Sequence, residues 1–170
     1  MKYVLLCFLA AAVYAATSTN EPTVVTSDRM QADYASNVGT FDGNVLAVDP
    51  RITVRANKMV VFFGTVTNVT AGATNATRQV QRIVATGSVV INQDKKLAHS
   101  EKADFTTADD KVVLTGNPRV ESPDGTVSGR QITIWHGQEK MDVEADQTDT
   151  NRTRLIIFPE EQRKENNAQP

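Results

Sequence analysis

The chain has 170 residues, with 18 Lys and Arg against 20 Asp and Glu, for a formal net charge of −2. This length allows one domain with a substantial core. The sequence contains no basic patch, so a nucleic-acid role has no support. Cys7 is the only cysteine, which excludes a disulfide framework within the chain.

Residues 1–15 have the layout of a secretory signal peptide. An apolar run follows Lys2, and Val13 and Ala15 occupy the −3 and −1 positions of a cleavage site. Cleavage removes Cys7 and Lys2, leaving no thiol and a net charge of about −3. Two alternatives remain. The segment stays as an uncleaved anchor, or Cys7 is lipidated, although no small residue precedes it.

The rest of the chain has the pattern of an all-β protein. Apolar and polar residues alternate with period two in "RITVRANKMVVFF", "GSVVINQ", "KVVLTGNPRV" and "TVSGRQITIW". Gly, Asp and Asn interrupt these runs, as expected for half-buried antiparallel strands. No segment shows a capped helical period over two turns.

A repeat organises these strands. Gly-Asn or Gly-Ser recurs at Gly43, Gly87 and Gly116, and a small residue lies 13 positions after each of them, at 56, 100 and 129. The preceding intervals, 27 to 43 and 100 to 116, are both 16 residues. The sequence therefore predicts about four two-strand units of 29 residues, stacked into a continuous sheet. The Gly-Asn pair is expected where one strand ends and the next begins.

Aligned copies of the repeat predict which residues face inward. The inward columns are Val25, Val54, Ala98, Val127; Ser27, Ala56, Ser100, Gly129; Met30, Met59, Ala103, Ile132; and Ala32, Val61, Phe105, Ile134. The interval from 56 to 100 is 44 residues, one unit plus 15. We assign the excess to residues 64–78, "GTVTNVTAGATNATR", and predict an inserted surface loop.

The two ends of the domain are predicted to be strands. "EPTVVTS" (residues 21–27) is the first strand and "TRLIIFP" (residues 153–159) the last, so the domain spans residues 21–159. Both lie outside the regular units and are expected to be open sheet edges. The charged segment 160–170 is expected to be a disordered tail.

Several of these stretches resemble the OstA-like family of periplasmic lipopolysaccharide-transport proteins of Gram-negative bacteria. The resemblance rests on "FDGNVLAVDPRITVRANKMVVFF", "DKVVLTGNPRVESPDGTVSGRQITIW", "QEKMDVEA" and "RLIIFP", and spans residues 24–159. It implies a V-shaped antiparallel β-jellyroll whose apolar groove carries lipopolysaccharide from the inner to the outer membrane. It further implies partners: an inner-membrane anchored protein at one end of a bridge, an outer-membrane translocon at the other, and further copies between them.

On this resemblance the inward apolar residues become a candidate lipid-binding groove. From the residues alone, a filled core is the simpler interpretation, but acyl chains bind such a surface without directional contacts. The candidate groove residues are Val25, Met30, Ala32, Val54, Met59, Val61, Phe63, Val89, Ile91, Phe105, Leu114, Val127, Ile132 and Ile134. Candidate headgroup residues are Arg51, Arg55 and Lys58. Candidate oligomer edge strands contain Thr23, Val24 and Val25 at one end and Leu155, Ile156, Ile157 and Phe158 at the other.

The sequence gives no pattern typical of an enzyme. His99 and His136 fall in different units, and adjacent carboxylates in a strand, such as Asp109 and Asp110, point to opposite faces. Metal-ligand spacing and phosphate loops are missing from the sequence. We therefore expect no catalytic residues, no metal and no cofactor.

Two other classes of function stay open from the sequence. One is a structural or adhesive secreted β-repeat protein with a dry core. The other is a secreted glycoprotein domain, because Asn68, Asn75 and Asn151 each begin an Asn-X-Thr acceptor pattern.

Overall fold

A computed structural model describes residues 22–50, 52–70, 73–93, 95–135, 138, 140–145 and 152–158. The expected signal peptide and C-terminal tail lie outside the described residues. Twelve strands and no helix occur in the described part of the chain. The strands are β1 (Val24–Thr26), β2 (Arg29–Asp33), β3 (Val38–Asp49), β4 (Ile52–Thr70), β5 (Ala73–Gln93), β6 (Lys96–Thr106), β7 (Lys111–Thr115), β8 (Arg119–Ser122), β9 (Gly125–Ser128), β10 (Gln131–Trp135), β11 (Lys140–Glu144) and β12 (Arg154–Ile157).

All twelve strands belong to one antiparallel sheet that divides into two layers. In layer one the order is β1-β3-β4-β5-β6-β8-β9-β12, and in layer two it is β2-β3-β4-β5-β6-β7-β10-β11. Strands β3 to β6 are long enough to contribute to both layers. The sheet is open, because β1, β2, β11 and β12 each pair with one strand only among the described residues. The expected all-β, antiparallel architecture is confirmed.

The repeated glycines mark the boundary between the two layers. Gly43, Gly87 and Gly116 have φ of +77°, +79° and +78°, and the residue after each also has positive φ. Two of the three are β-bulges inside continuous strands, because β3 runs through Gly43 and β5 through Gly87. The expectation that Gly-Asn ends a strand is correct only for Gly116, between β7 and β8. At the other two positions the backbone bends and the ladder resumes.

Each of these glycines lies against the residue that follows one of the repeated small residues, Ser27, Ala56 or Ser100. A Cβ atom on Gly87 would be 2.7 Å from Nδ2 of Asn57, and Cβ atoms on Gly43 and Gly116 would be closer still to Asp28 and Glu101. For Gly43 and Gly116 the 16-residue interval of the repeat therefore records a physical contact, in which a residue without a side chain leaves room for a neighbouring part of the chain.

The inward columns of the repeat become rows across the sheet. Cross-strand pairing forms one row in layer one: Val25, Ala47, Val54, Ile91, Ala98, Val120, Val127 and Leu155. It forms two rows in layer two. The first is Met30, Phe41, Met59, Ala85, Ala103, Leu114, Ile132 and Val143. The second is Ala32, Gly39, Val61, Ile83, Phe105, Val112, Ile134 and Met141.

These rows meet in one apolar cluster. Buried residues of both layers belong to it, including Val45 and Val120 from layer one and Leu114 and Ile132 from layer two. Leu114 and Ile132 have no exposed surface. The two layers are therefore packed face to face by their inward side chains, which is the arrangement expected of a sheet that folds over on itself at the bulges.

The segment predicted as an inserted loop is instead a β-hairpin. Strands β4 and β5 stay paired beyond their neighbours, from Gly64 opposite Gln79 to Thr70 opposite Ala73. We call residues 64–78 the hairpin extension. Its Thr and Val residues favour extended backbone, so a composition that looks like a loop supports two strands once they pair.

Candidate functional site

Nine of the fourteen candidate groove residues are buried in the apolar cluster. They are Met59, Val61, Val89, Ile91, Phe105, Leu114, Val127, Ile132 and Ile134. Their side chains cover one another, so an acyl chain reaches them only if the layers separate. The simpler interpretation, a filled core, holds for this central part of the interior.

Met30 and Ala32 lie on the inner face as expected but are exposed, and their place in a lipid-binding groove stays a prediction. Both lie in inward rows, opposite Phe41 and Gly39, but β2 is the last strand of layer two and nothing covers its inner face in the described residues. The exposed fraction of Met30 is 62%. The repeat fixes which face a residue occupies; it carries no information about where the sheet ends.

Eight apolar residues are partly exposed and pack against the cluster. These residues are Val25, Phe41, Val54, Phe63, Val80, Ile83, Met141 and Val143. They form the part of the inner face that is exposed to solvent without separation of the layers, and we call them the accessible inner face. Val25, Val54 and Phe63 were predicted from the sequence.

The other five members of the accessible inner face were missed. Phe41 and Ile83, for example, lie on strands between the aligned copies, because the repeat alignment followed one strand of each unit. The alternation of apolar and polar residues along β3 and β5 identifies them, provided that the extra residue at each bulge is taken into account.

The inner face is open at both ends of the sheet. At the β12 edge, Leu155 and Ile157 point to the inner face, on the same side as the inward row, yet they are 65% and 69% exposed. At the β2 edge the exposed residue is Met30. Large apolar side chains therefore continue along the inner face to both edges, where a monomer leaves them in water.

The predicted edge residues lie where they were expected. Thr23 precedes β1, Val24 and Val25 are in it, and Val24 is 53% exposed. Leu155, Ile156 and Ile157 are in β12, which Phe158 follows with an N–H bond to the Asp124 carbonyl at 3.1 Å. Along one edge of β1 and of β12, the backbone N–H and C=O groups face no other strand among the described residues. Their role in assembly stays a prediction.

The candidate headgroup residues do not border the interior. Arg55 and Lys58 are exposed and alternate with the inward Ala56 and Met59, so they lie on the outer face of β4. The Lys58 ammonium pairs with the Asp42 carboxylate at 3.0 Å. Arg51 lies outside the described residues. Arg55 and Lys58 therefore point outward as expected, and their contact with a lipid headgroup stays a prediction.

The outer face of layer two carries an ion pair that fixes neighbouring strands. The Arg82 guanidinium donates two hydrogen bonds to the Asp104 carboxylate, at 2.7 and 2.5 Å. These bonds hold the pKa of Asp104 below its usual 3.8, although partial burial of the carboxylate acts in the opposite direction. The pair cross-links β5 and β6 on the face opposite the apolar cluster, so it is structural.

Groups of acidic, histidine or cysteine side chains able to hold a metal ion are not found in the described part of the chain. His99 lines a small open depression beside Gly116, together with Ser100, Glu101 and Asn117. His136 lies outside the described residues. Among described residues, no helix is long and apolar enough to cross a membrane.

Comparison with known proteins places this open, two-layered sheet in a family. Residues 24–140 match the model of the LptA/(LptD N-terminal domain) LPS transport protein family. The match covers more than half of the chain, so the chain belongs to that family. The expected OstA-like resemblance is thereby confirmed.

Individual relatives agree with this assignment. The lipopolysaccharide export system protein LptA of Escherichia coli K12 is 27% identical over 152 residues, which are 88% of this chain and 77% of that protein. LptA of Haemophilus influenzae is 26% identical over 164 residues, covering 89% and 90%. The crystal structure of LptH, the LptA homologue of Pseudomonas aeruginosa, superposes with a TM-score of 0.65 at 14% identity, covering 82% and 96%. This likeness shows the jellyroll fold.

Proposed function

We propose that the chain is a periplasmic bridge protein that binds lipopolysaccharide and passes it from the inner to the outer membrane. The observation that carries the proposal is the apolar inner face, which remains uncovered at both edges of an open sheet. Family membership and the names of the LptA relatives support lipopolysaccharide as the ligand and the periplasm as the location. The alternative of a dry structural repeat protein is not favoured by those relatives.

The accessible inner face explains how a lipid is held. Phe41, Phe63, Ile83 and their neighbours offer contact without hydrogen-bonding groups, so each buried methylene contributes about 0.8 kcal/mol in any position. A ligand held in this way is free to slide, because no contact fixes its place along the rows. The charged residues named above lie on the outer face, whereas the Arg78 guanidinium carbon lies 6.0 Å from the centre of the Phe63 ring, so one cation borders this apolar path.

We further propose that copies assemble head to tail through the open edge strands. Head-to-tail contact places the exposed Leu155 and Ile157 of one copy beside the uncovered β1 and β2 of the next. Their apolar area then leaves water, and the inner faces become continuous. The inner-membrane and outer-membrane partners would occupy the two free ends of such a bridge. We assign the chain no catalytic role.

The function is tested by ligand linkage on the unmodified chain. Intact lipopolysaccharide at about one hundred times its Kd should raise the free energy of unfolding by roughly 2.7 kcal/mol. Deacylated lipopolysaccharide, the matched control, should leave it unchanged. Equal stabilisation by both would mean that the sugar or phosphate is recognised, and stabilisation by neither would favour the dry repeat protein.

A further inference from the structure

The two layers end in four edge strands that match in direction. Each layer contains eight strands that alternate in direction, since every pairing is antiparallel. The first and last strands of each layer therefore run in opposite directions. When two copies stack in the same orientation, β1 meets β12 antiparallel in layer one, and β2 meets β11 antiparallel in layer two.

We propose that copies join through both pairs of edges at once, in the single register that continues the inward rows. Val25 of one copy then lies opposite Leu155 of its neighbour. In layer two, Met30 lies opposite Val143 and Ala32 opposite Met141. This inference rests on the head-to-tail assembly proposed above, and it adds which residues meet and what selects them.

The outer face of layer two supplies the selection by charge. In this register Asp33 lies opposite Lys140, and Arg29 lies opposite Glu144. All four side chains are exposed in the single chain. Opposite charges at directly facing positions of an antiparallel pair stabilise that register, whereas like charges disfavour it. The third outward pair, Gln31 opposite Asp142, contains one charged residue only, so it neither favours nor disfavours this register by charge.

The charged groups at this edge are already positioned. The Glu144 carboxylate accepts a hydrogen bond from Arg130 at 3.1 Å, and the Lys140 ammonium lies 4.7 Å from the centre of the Trp135 ring. On the other edge, the Asp33 carboxylate accepts the backbone N–H of Ala35 at 2.9 Å. Such contacts reduce the side-chain freedom lost when the edges meet.

Other registers are worse on both faces. A slip of two residues one way opposes Asp142 to Asp33, and a slip the other way keeps one ion pair, between Asp142 and Arg29. A slip of one residue turns every inward apolar side chain outward. Layer one adds apolar contact between Ile156 and Val24 on its outer face, with Arg152 opposite Asp28. Layer one therefore contributes burial, and layer two selects the register.

The register is tested with pairs of single-cysteine variants in mixed samples of the full chain lacking Cys7. Ile156→Cys with Val24→Cys, and Asp142→Cys with Gln31→Cys, should form disulfide-linked dimers on mild oxidation, because facing Cβ atoms are about 4.5–5.5 Å apart. The matched control, Ile156→Cys with Thr26→Cys, is two residues out of register and should cross-link at least tenfold less. Equal cross-linking of all three pairs, or none in any of them, overturns the proposal.

Charge exchange provides the second test. Glu144→Lys in one copy should weaken its association with a normal β2 edge roughly five- to tenfold, because two cations then face each other. A partner copy carrying Arg29→Glu should restore the affinity to within about twofold. Failure of this rescue overturns the proposed selection. The lipid test above is independent of this one. Stabilisation by lipopolysaccharide together with out-of-register cross-links would reject the register alone. In-register cross-links without stabilisation by lipopolysaccharide would reject the lipid function alone.

Discussion

Replacement of Leu114 by Ala tests whether the rows pack as described. Leu114 has no exposed surface and lies between Ala103 and Ile132 in its row. Removing three carbons forfeits about 2.4 kcal/mol of transfer free energy at roughly 0.8 kcal/mol each. Because Ala103 is too small to fill the gap, a cavity term adds to this, and we expect a total loss of about 3–5 kcal/mol.

The assay is urea unfolding followed by circular dichroism, with the midpoint and slope compared between variants. Lys102→Ala is the matched control, since the Lys102 side chain is 45% exposed on the outer face. It should change the free energy of unfolding by no more than about 0.5 kcal/mol. A loss below about 1 kcal/mol for Leu114→Ala would show that the two layers do not pack against each other and would refute the face assignment.

Three further changes test separate parts of the fold. Gly87→Ala should lower the free energy of unfolding by about 1–3 kcal/mol, because φ is positive and the new Cβ meets Asn57 of the opposing strand. Gly39→Ala is the control and should be nearly neutral, because its new Cβ would be 3.6 Å from the nearest atom. Equal losses in the two variants would contradict the bulge geometry. Asp104→Asn should cost about 0.5–1 kcal/mol at neutral pH. Since the pKa of Asp104 is lowered by Arg82, this contribution is full above its usual 3.8 and is lost as pH falls through the folded value; a difference that persists at pH 2 would exclude the ion pair as its source. Replacing the hairpin extension by a short turn should change stability by less than about 1 kcal/mol, because its backbone pairs almost entirely within the hairpin among the described residues and the exposed Arg78–Asn37 hydrogen bond is a surface contact; loss of the folded state would contradict that.

The face of each strand was predictable from the sequence because the repeat is a physical contact. Met59, Ala103 and Ile132 are equivalent positions of the repeat and lie in one cross-strand row, and so do Val61 and Phe105. Local alternation gives the face, and the glycine opposite a neighbouring strand gives the register.

What the sequence did not reveal depends on distant partners. Whether the ladder resumes after Gly43 depends on β4, and whether residues 64–78 form a loop or a hairpin depends on pairing between two halves of a polar segment. The exposure of Met30 depends on which strand is last in the sheet. Each of these is a property of the assembled sheet, so a local pattern carries no signal for it.

The direct test of the central claim uses two adjacent phenylalanines on opposite faces of β4. Phe63 packs on the apolar cluster as part of the accessible inner face, whereas the Phe62 ring lies on the outer face, 5.8 Å from the Arg82 guanidinium carbon. Each is replaced in turn by the photoreactive p-benzoylphenylalanine, and the folded chain is irradiated with lipopolysaccharide. Cross-linking at position 63 and not at position 62 is the predicted result. Cross-linking at 62 alone, or at neither position with lipid bound, would contradict an inner face that holds the lipid.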